Sequence, residues 1–262
     1  MDMQLKEKFL SQWDKYFNGN ELPFTLMYNN TPNNATKMSF DSEHNCLISI
    51  LSHVRSGRNI YLDNDSVNCN GARQSLGFQS QHDHITAYLF SNCSNSSNNG
   101  KNPKNDFSRS PEWINQIPRI QATESKCVFK RWDRLESTDN PEIVIFFAEP
   151  NELSALLSLA NFHESSPHAV NVPYCTDCAS LTLFPMKEKY SENPKPVMGM
   201  LNVSSRPYVP QTTISFAVPF NKFESIVHCM EYSFLTTDTW QKAQMRITYP
   251  SAQKYQRLRC HF

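Results

Sequence analysis

A continuous apolar run at residues 143–148 is followed at once by a helix-start signal, and this pair constrains the fold more than any other feature of the chain. An apolar run of this length is strand-sized, and its lack of polar alternation predicts a central strand covered on both faces. Pro150-Asn151-Glu152 then opens a helix, for which we expect a buried stripe of Leu153, Leu156, Leu157 and Ala160. Strand, short turn and helix form half of an α/β unit, so the chain must place helices against a sheet.

The other periodic segments predict further helices and strands around this unit. Apolar residues at helical spacing indicate a first helix at 3–17 and a second one that carries Cys46, Ile50 and Val54, with Gly57 as a left-handed C-terminal cap. The polar segment 29–42 is expected to be a loop. Further helices are predicted at 219–235 and 237–247, and further strands at 23–28, 60–62, 127–132, 197–203 and 213–218.

This succession of elements predicts an α+β fold. We expect a single domain over residues 1–262, with a mixed β-sheet of about six strands and helices packed on it. Residues 91–106 are polar and of low complexity, and we interpret them as an insertion in this domain.

Charge and motif content exclude several classes of function. Lys plus Arg total 25 and Asp plus Glu total 25, so there is no net charge that would attract nucleic acid. The fingerprints of dinucleotide-binding proteins, P-loop enzymes, zincins and esterases are absent from the sequence. There is no secretory signal pattern, and no segment approaches the ~20 apolar residues that span a bilayer. We therefore expect a cytoplasmic, soluble protein whose partner is a small molecule rather than nucleic acid or a membrane; the oligomeric state is left open.

Eight cysteines are the most informative polar residues for function. Their density is low for a disulfide scaffold, so we expect reduced thiols or metal ligands. The Cys175-Thr176-Asp177-Cys178 segment has a spacing that can hold one metal ion or close a redox disulfide. A zinc knuckle normally has a second such pair, which this chain lacks, so an incidental or structural pair is the alternative.

Two more cysteines have a local context that suits ligation. Cys69-Asn70-Gly71 places a tight turn after the sulfur, and its amides can donate to a bound thiolate; a partly buried free thiol is the alternative. Cys46 is either a core thiol or the third sulfur of a site with Cys69 and Cys178. Cys127, at the start of a predicted strand, is a weaker candidate.

Arg55 and Arg206 are the candidate anion-binding residues. An arginine in a Pro-stiffened loop, as in Arg206-Pro207, makes a good bidentate contact to an anion. A surface salt bridge or a carbonyl-capping arginine is the alternative for both. His82-Asp83-His84 could present two imidazoles on one side of an extended segment, but exposed histidines in a polar loop are the simpler interpretation.

Several segments, taken in order, resemble the uncharacterised family known as domain of unknown function 169. They are RSGRNIYLDNDSVNCNGARQSLGF (55–78), PEIVIFFAEPNELSALLSLANF (141–162), CTDCAS (175–180), SSRPYVP (204–210), FAVPF (216–220) and SFLTTDTWQK (233–242). The resemblance covers roughly residues 45–80 and 110–247. It implies a soluble, cytoplasmic, single α+β domain and no established reaction.

The resemblance also singles out residues. Cys46, Cys69 and Cys178 match the family's recurring cysteines, and Arg206 matches its recurring arginine. This chain departs from the family pattern in having Thr176-Asp177 where small residues, often glycine, precede the last cysteine, and in having the additional Cys175.

We therefore expect a protein that binds a metal through cysteines, either an iron–sulfur cluster or zinc. Cys46, Cys69 and Cys178 would be the ligands, with Cys175 or Cys127 optional, for redox or sulfur chemistry on a small molecule anchored by Arg206. The first alternative is a non-catalytic module that binds a small anion near Arg55 and Arg206. The second is a cysteine-nucleophile enzyme in which Cys178 is activated by a histidine or a helix N-terminus.

Overall fold

The computed structural model describes residues 1–17, 19–40, 46–79, 116–202 and 206–245. In this part of the chain the α-helices are α1 (Met3–Phe17), α2 (Leu47–Arg55), α3 (Asn70–Ser75), α4 (Pro150–Ala160), α5 (Asp177–Leu181), α6 (Leu183–Lys189), α7 (Phe220–Cys229) and α8 (Asp238–Gln244). The strands are β1 (Phe24–Tyr28), β2 (Thr36–Lys37), β3 (Ile60–Asp63), β4 (Lys126–Arg131), β5 (Ile143–Ala148), β6 (Val197–Gly199) and β7 (Ile214–Pro219).

The strands form one mixed sheet of the order β2-β3-β4-β1-β5-β7-β6. Among the strands that the structure describes, only the β2–β3 pair is parallel, and the other neighbours are antiparallel. The predicted α+β class with a mixed sheet is therefore confirmed, with seven strands in the described residues in place of about six. The additional strand, β2, is two exposed residues long and lies in a segment that we expected to be a loop, because two polar residues carry no periodic signal.

Helices cover both faces of the sheet, as the uninterrupted apolar character of β5 requires. Side chains of β5 alternate between two apolar cores. Val144 and Phe146 pack on one side with α1, α4 and α7, which we call the α1 face. Ile143 and Ile145 pack on the other side with α2, α3 and α5, which we call the α2 face. All six residues of β5 are buried.

Helix α4 begins where the sequence predicts. Pro150 occupies the first turn, and Glu149 and Glu152 form a reciprocal capping box. Its buried residues are Ala155, Leu156, Leu159 and Ala160, so the stripe is rotated from the predicted one, and Leu157 is exposed.

Two other predicted boundaries change. The helix predicted at 219–235 ends as α7 at Cys229 and continues as two short 3-10 turns, and the strand predicted at 197–203 is shortened to β6. The insertion at 91–106 and the His82-Asp83-His84 segment lie outside the described residues, and the domain limits 1–262 stay a prediction. Within the described part of the chain, no helix has both the length and the apolar character needed to cross a membrane.

Candidate functional site

Three cysteines lie at the beginnings of three helices on the α2 face. Cys46 is the N-cap of α2, Cys69 is the N-cap of α3, and Cys178 lies in the first turn of α5 behind the N-cap Thr176. The placement of Cys46 differs from the prediction, which put it on a buried helix face. Its backbone is extended, so the helix begins one residue later. All three side chains belong to or pack against the same apolar core.

The structure brings Cys46 and Cys178 together. The Cys178 thiol donates a hydrogen bond to the Cys46 sulfur, and this contact is the main reason that the pKa of Cys46 is lowered to about 7. Cys46 makes no capping hydrogen bond of ordinary geometry, but the N–H groups of Ile48 and Ser49 lie close enough to its sulfur to favour the thiolate further.

Two effects oppose the acidity of Cys46. Partial burial of the sulfur raises its pKa, and so does the negative charge of the nearby Asp177 carboxylate. Asp177 is itself buried and accepts a hydrogen bond from the backbone N–H of Asn202 at 3.2 Å. The favourable contacts outweigh the two opposing effects, so Cys46 is half ionised near neutral pH.

Exposure distinguishes the two thiols. Cys46 is only partly buried, whereas Cys178 is buried. Cys46 is therefore the more accessible residue of the pair, with Cys178 as the adjacent second thiol. This arrangement suits an attacking thiolate and a resolving thiol.

The other predicted ligands lie in different surroundings. Cys69 is partly buried. Its sulfur lies near Gly71, at 3.9 Å from the position that a Cβ would occupy there, which is an ordinary van der Waals distance. Cys175 is buried in a separate small apolar cluster and lines a cavity of about 110 Å³ with Asp177. Cys127 is fully buried on β4, and this burial raises its pKa well above the usual range of a thiol.

No metal centre is assembled by these cysteines in the described residues. That part of the chain holds no group of three or more His, Cys, Asp and Glu side chains that could bind a metal ion. Of the predicted ligands Cys46, Cys69, Cys178 and Cys175, the structure brings Cys46 and Cys178 into contact.

The two predicted anion-binding arginines are engaged by the protein itself. Arg55 donates from Nε and Nη2 to the two carboxylate oxygens of Glu21, at 2.6 and 2.7 Å. Arg206 donates to the carbonyls of Met200 and Thr213, at 3.1 and 2.7 Å, and it also contacts the carbonyls of Pro210 and Gln211. Arg206 thus acts as a carbonyl-capping residue that holds the loop before β7.

The acidity of Cys46 and its Asp177 neighbour were missed by sequence reasoning. The available signal was the position of Cys46 directly before the apolar helical run 47–55, which marks a helix start. The proximity of Cys46 to Cys178 was expected from the family's recurring cysteines and not from a local pattern, because the two residues are far apart in the chain.

Comparison with known proteins places the chain in a family without an assigned activity. The model of the family described as "Uncharacterised ArCR", domain of unknown function 169, matches residues 19–228. No curated protein matches the chain, and no solved structure does.

Proposed function

The chain belongs to the family of domain of unknown function 169, and we propose, from the contact between its Cys46 and Cys178 thiols, that it is a dithiol protein that exchanges electrons with small disulfides. The hydrogen bond between the two sulfurs is the observation that carries this proposal. The family description names no activity, so the proposal rests on the geometry of this chain.

The two cysteines have different roles in the proposed reaction. The Cys46 thiolate attacks one sulfur of a disulfide, forms a mixed disulfide and releases the first thiolate. Cys178 then gives up its proton to that leaving thiolate and attacks the Cys46 sulfur, which releases the second thiolate. The protein dithiol becomes a disulfide and loses two electrons, and the small disulfide is reduced to two thiols.

Two thiols support this chemistry better than they support the predicted metal centre. A structural zinc site needs four ligands and a catalytic one needs three, and an iron–sulfur cluster needs about four thiolates. The iron–sulfur or zinc prediction, with Cys69 and Cys175 as further ligands, would require those residues to move towards Cys46 and Cys178. The dithiol reaction requires no additional ligand.

The predicted cysteine-nucleophile enzyme shares the first step, but the structure favours Cys46 over Cys178 as its nucleophile. Cys46 is the more exposed of the two, and it has the helix N–H groups beside its sulfur. A dithiol protein needs Cys178 to complete its reaction, whereas a single-nucleophile enzyme does not.

The test is reaction of the reduced full-length chain with glutathione disulfide, followed by intact-mass and peptide mass spectrometry. We expect the unaltered protein to lose two hydrogens and to contain a Cys46–Cys178 disulfide. The Cys178→Ala variant should instead retain glutathione on Cys46, and the Cys46→Ala variant should form neither product. Cys229→Ala is the matched control, because Cys229 is buried and burial raises its pKa to about 11.

Two outcomes would contradict the dithiol proposal. One is a stable glutathione adduct on Cys46 in the unaltered protein, with Cys178 left reduced, which would favour the single-nucleophile alternative. The other is stoichiometric zinc or iron in anaerobically purified protein that is lost in a Cys69→Ser variant, which would favour the metal centre.

A further inference from the structure

Helix α5, which carries Cys178, is only five residues long, so its position depends on the elements around it. A helix of this length gains little stability from its own hydrogen bonds. It is held beside α2 by contacts with β6, with α3 and with the residues that follow β6. The position of Cys178 relative to Cys46 therefore depends on these contacts.

The contact between α5 and β6 is made at Gly199, which has no side chain. The Ser180 side chain of α5 fills the space that a side chain at residue 199 would need. A Cβ at residue 199 would lie far inside van der Waals distance of both the Oγ and the Cβ of Ser180. The Oγ could turn away, but the Ser180 Cβ is fixed to the helix backbone. Only glycine at residue 199 allows α5 to lie this close to β6.

Ser180 and Cys178 point to opposite sides of α5. Successive residues of an α-helix are turned by about 100°, so residues two positions apart are turned by about 200°. Ser180 faces Gly199 on β6, and Cys178 faces Cys46 at the start of α2. Helix α5 therefore lies between β6 and Cys46, and its approach to β6 sets how near the Cys178 sulfur comes to the Cys46 sulfur.

The other contacts leave α5 little freedom to adjust. The buried Thr182 hydroxyl, directly after α5, lies 2.6 Å from the Ser75 carbonyl oxygen of α3 and 2.9 Å from the Cys178 carbonyl oxygen. The Asp177 carboxylate accepts a hydrogen bond from the backbone N–H of Asn202 at 3.2 Å. Protein interiors are close-packed and transmit strain, so a displacement of α5 on its β6 side reaches the thiol pair on its other side.

We propose that Gly199 is a positioning residue for the thiol pair, because its lack of a side chain holds α5 where Cys178 and Cys46 form their hydrogen bond. A hydrogen bond has one preferred separation, so a shift of the helix in either direction weakens it. The inference rests on the dithiol proposal for its functional meaning, since a resolving thiol must be held next to the nucleophile.

The test measures the pH midpoint of Cys46 alkylation in the full-length Gly199→Ala variant. The added methyl group displaces α5 and weakens the hydrogen bond from Cys178, so the midpoint should rise from about 7. We expect a rise of about one pH unit, towards the pKa of ~8.5 of a free thiol. Gly19→Ala is the matched control, because Gly19 has φ +83° and a Cβ there would meet nothing within 4 Å. This control strains the backbone without a new contact and should leave the midpoint unchanged.

Substitutions at Ser180 distinguish positioning from general damage. Ser180→Gly, combined with Gly199→Ala, removes both Ser180 atoms that the new Cβ would meet and should return the midpoint to that of the unaltered protein. Ser180→Ala in the same combination keeps the Ser180 Cβ position occupied and should leave the midpoint raised. If Gly199→Ala alone does not fold, the combination with Ser180→Gly should restore both cooperative unfolding and the midpoint.

The proposal is overturned if folded Gly199→Ala keeps the midpoint of the unaltered protein, because β6 would then have yielded instead of α5. It is also overturned if Ser180→Gly restores the midpoint no better than Ser180→Ala, or if the combination with Ser180→Gly stays unfolded. Alkylation requires no disulfide exchange, so the two proposals fail separately. An unaltered protein that forms no Cys46–Cys178 disulfide with glutathione disulfide would refute the dithiol reaction and leave the positioning result intact.

Discussion

At the scale of single residues, the reactivity of the molecule is decided by what surrounds the Cys46 sulfur. The hydrogen bond from the Cys178 thiol is the largest effect and lowers the pKa of Cys46, and the N–H groups of Ile48 and Ser49 lower it further. Burial, the second-largest effect, raises this pKa, and so does the negative charge of Asp177. Cys229 shows the contrast, because burial dominates there and raises the pKa to about 11. Cysteine content alone would not distinguish these two thiols.

This balance predicts how reactivity should depend on pH. The alkylation rate of Cys46 should rise with a midpoint near its pKa of about 7, since the thiolate is the reactive form. Cys178→Ala removes the principal hydrogen bond and should move the midpoint upward. Asp177→Asn removes a negative charge that disfavours the thiolate and should move it downward. Iodoacetamide labelling followed by peptide mass spectrometry, across about pH 5 to pH 9, measures all three midpoints.

The opposite directions of the two substitutions make this prediction specific. General loosening of the site would shift both variants towards the pKa of a free thiol. An Asp177→Asn midpoint above that of the unaltered protein, in a variant that unfolds cooperatively, would show that its charge does not act on Cys46.

At the scale of elements, two glycines follow the helices α2 and α3, whose N-caps are Cys46 and Cys69. Gly57 follows α2 with φ +93°, as its predicted role of C-terminal cap requires, and its N–H donates to the Val54 carbonyl. Gly77 follows α3 with φ +73°, and its carbonyl accepts from the N–H of Ala122. Both positions lie in the left-handed region, where a side chain is costly.

The surroundings of the two glycines predict different costs. Gly57→Ala should destabilise the protein by about 1–2 kcal/mol, because a left-handed backbone is costly for alanine, while the new Cβ would meet only the side-chain end of Arg131, at 3.2 Å. Gly77→Ala should cost more, because its Cβ would lie 2.6 Å from the backbone nitrogen of Ala122, which cannot turn away. Urea unfolding followed by tryptophan fluorescence gives both free energies of unfolding.

Gly71→Ala is the control for this comparison. Gly71 is helical and its Cβ would meet only the Cys69 sulfur at an ordinary 3.9 Å, so we expect no loss of stability. If Gly57→Ala and Gly77→Ala lowered the free energy of unfolding equally, the close approach of the Ala122 backbone to Gly77 would not explain the cost of substitution there.

At the scale of the whole molecule, one sheet between two helical layers positions the thiol pair. Helices α2 and α5 pack on the same face of the sheet, and this packing brings Cys46 and Cys178 into contact.

The sheet order predicts a gradient of local stability. Strand β1 lies between β4 and β5 at the centre of the sheet, whereas β2 and β6 are the short strands at its two edges. In native-state hydrogen exchange, amides of β1, β4 and β5 should exchange slowest, at rates that approach global unfolding, and those of β2 and β6 fastest. Protection in β2 or β6 equal to that in β1 would argue against this sheet order.

The class of fold was within reach of the sequence because its signals are local. The apolar run of β5, the capping residues of α4 and the glycine after α2 each follow from neighbours within a few residues. The missed strand β2 has no apolar pattern, and it exists only because β3 provides its partner. The face of α4 that is buried also depends on the sheet and not on the helix alone.

The sequence by itself thus determined most of the elements of this protein and the cysteines from which the thiol pair is drawn. Only the tertiary structure decided which of them meet, since Cys46 and Cys178 become neighbours through the packing of α2 and α5 on one face of the sheet. It likewise turned Arg206 towards backbone carbonyls and paired Arg55 with Glu21. The physical reason is that a pKa, an ion pair and a pocket depend on distances of a few ångströms between residues that are remote in the chain, and these distances exist only after folding.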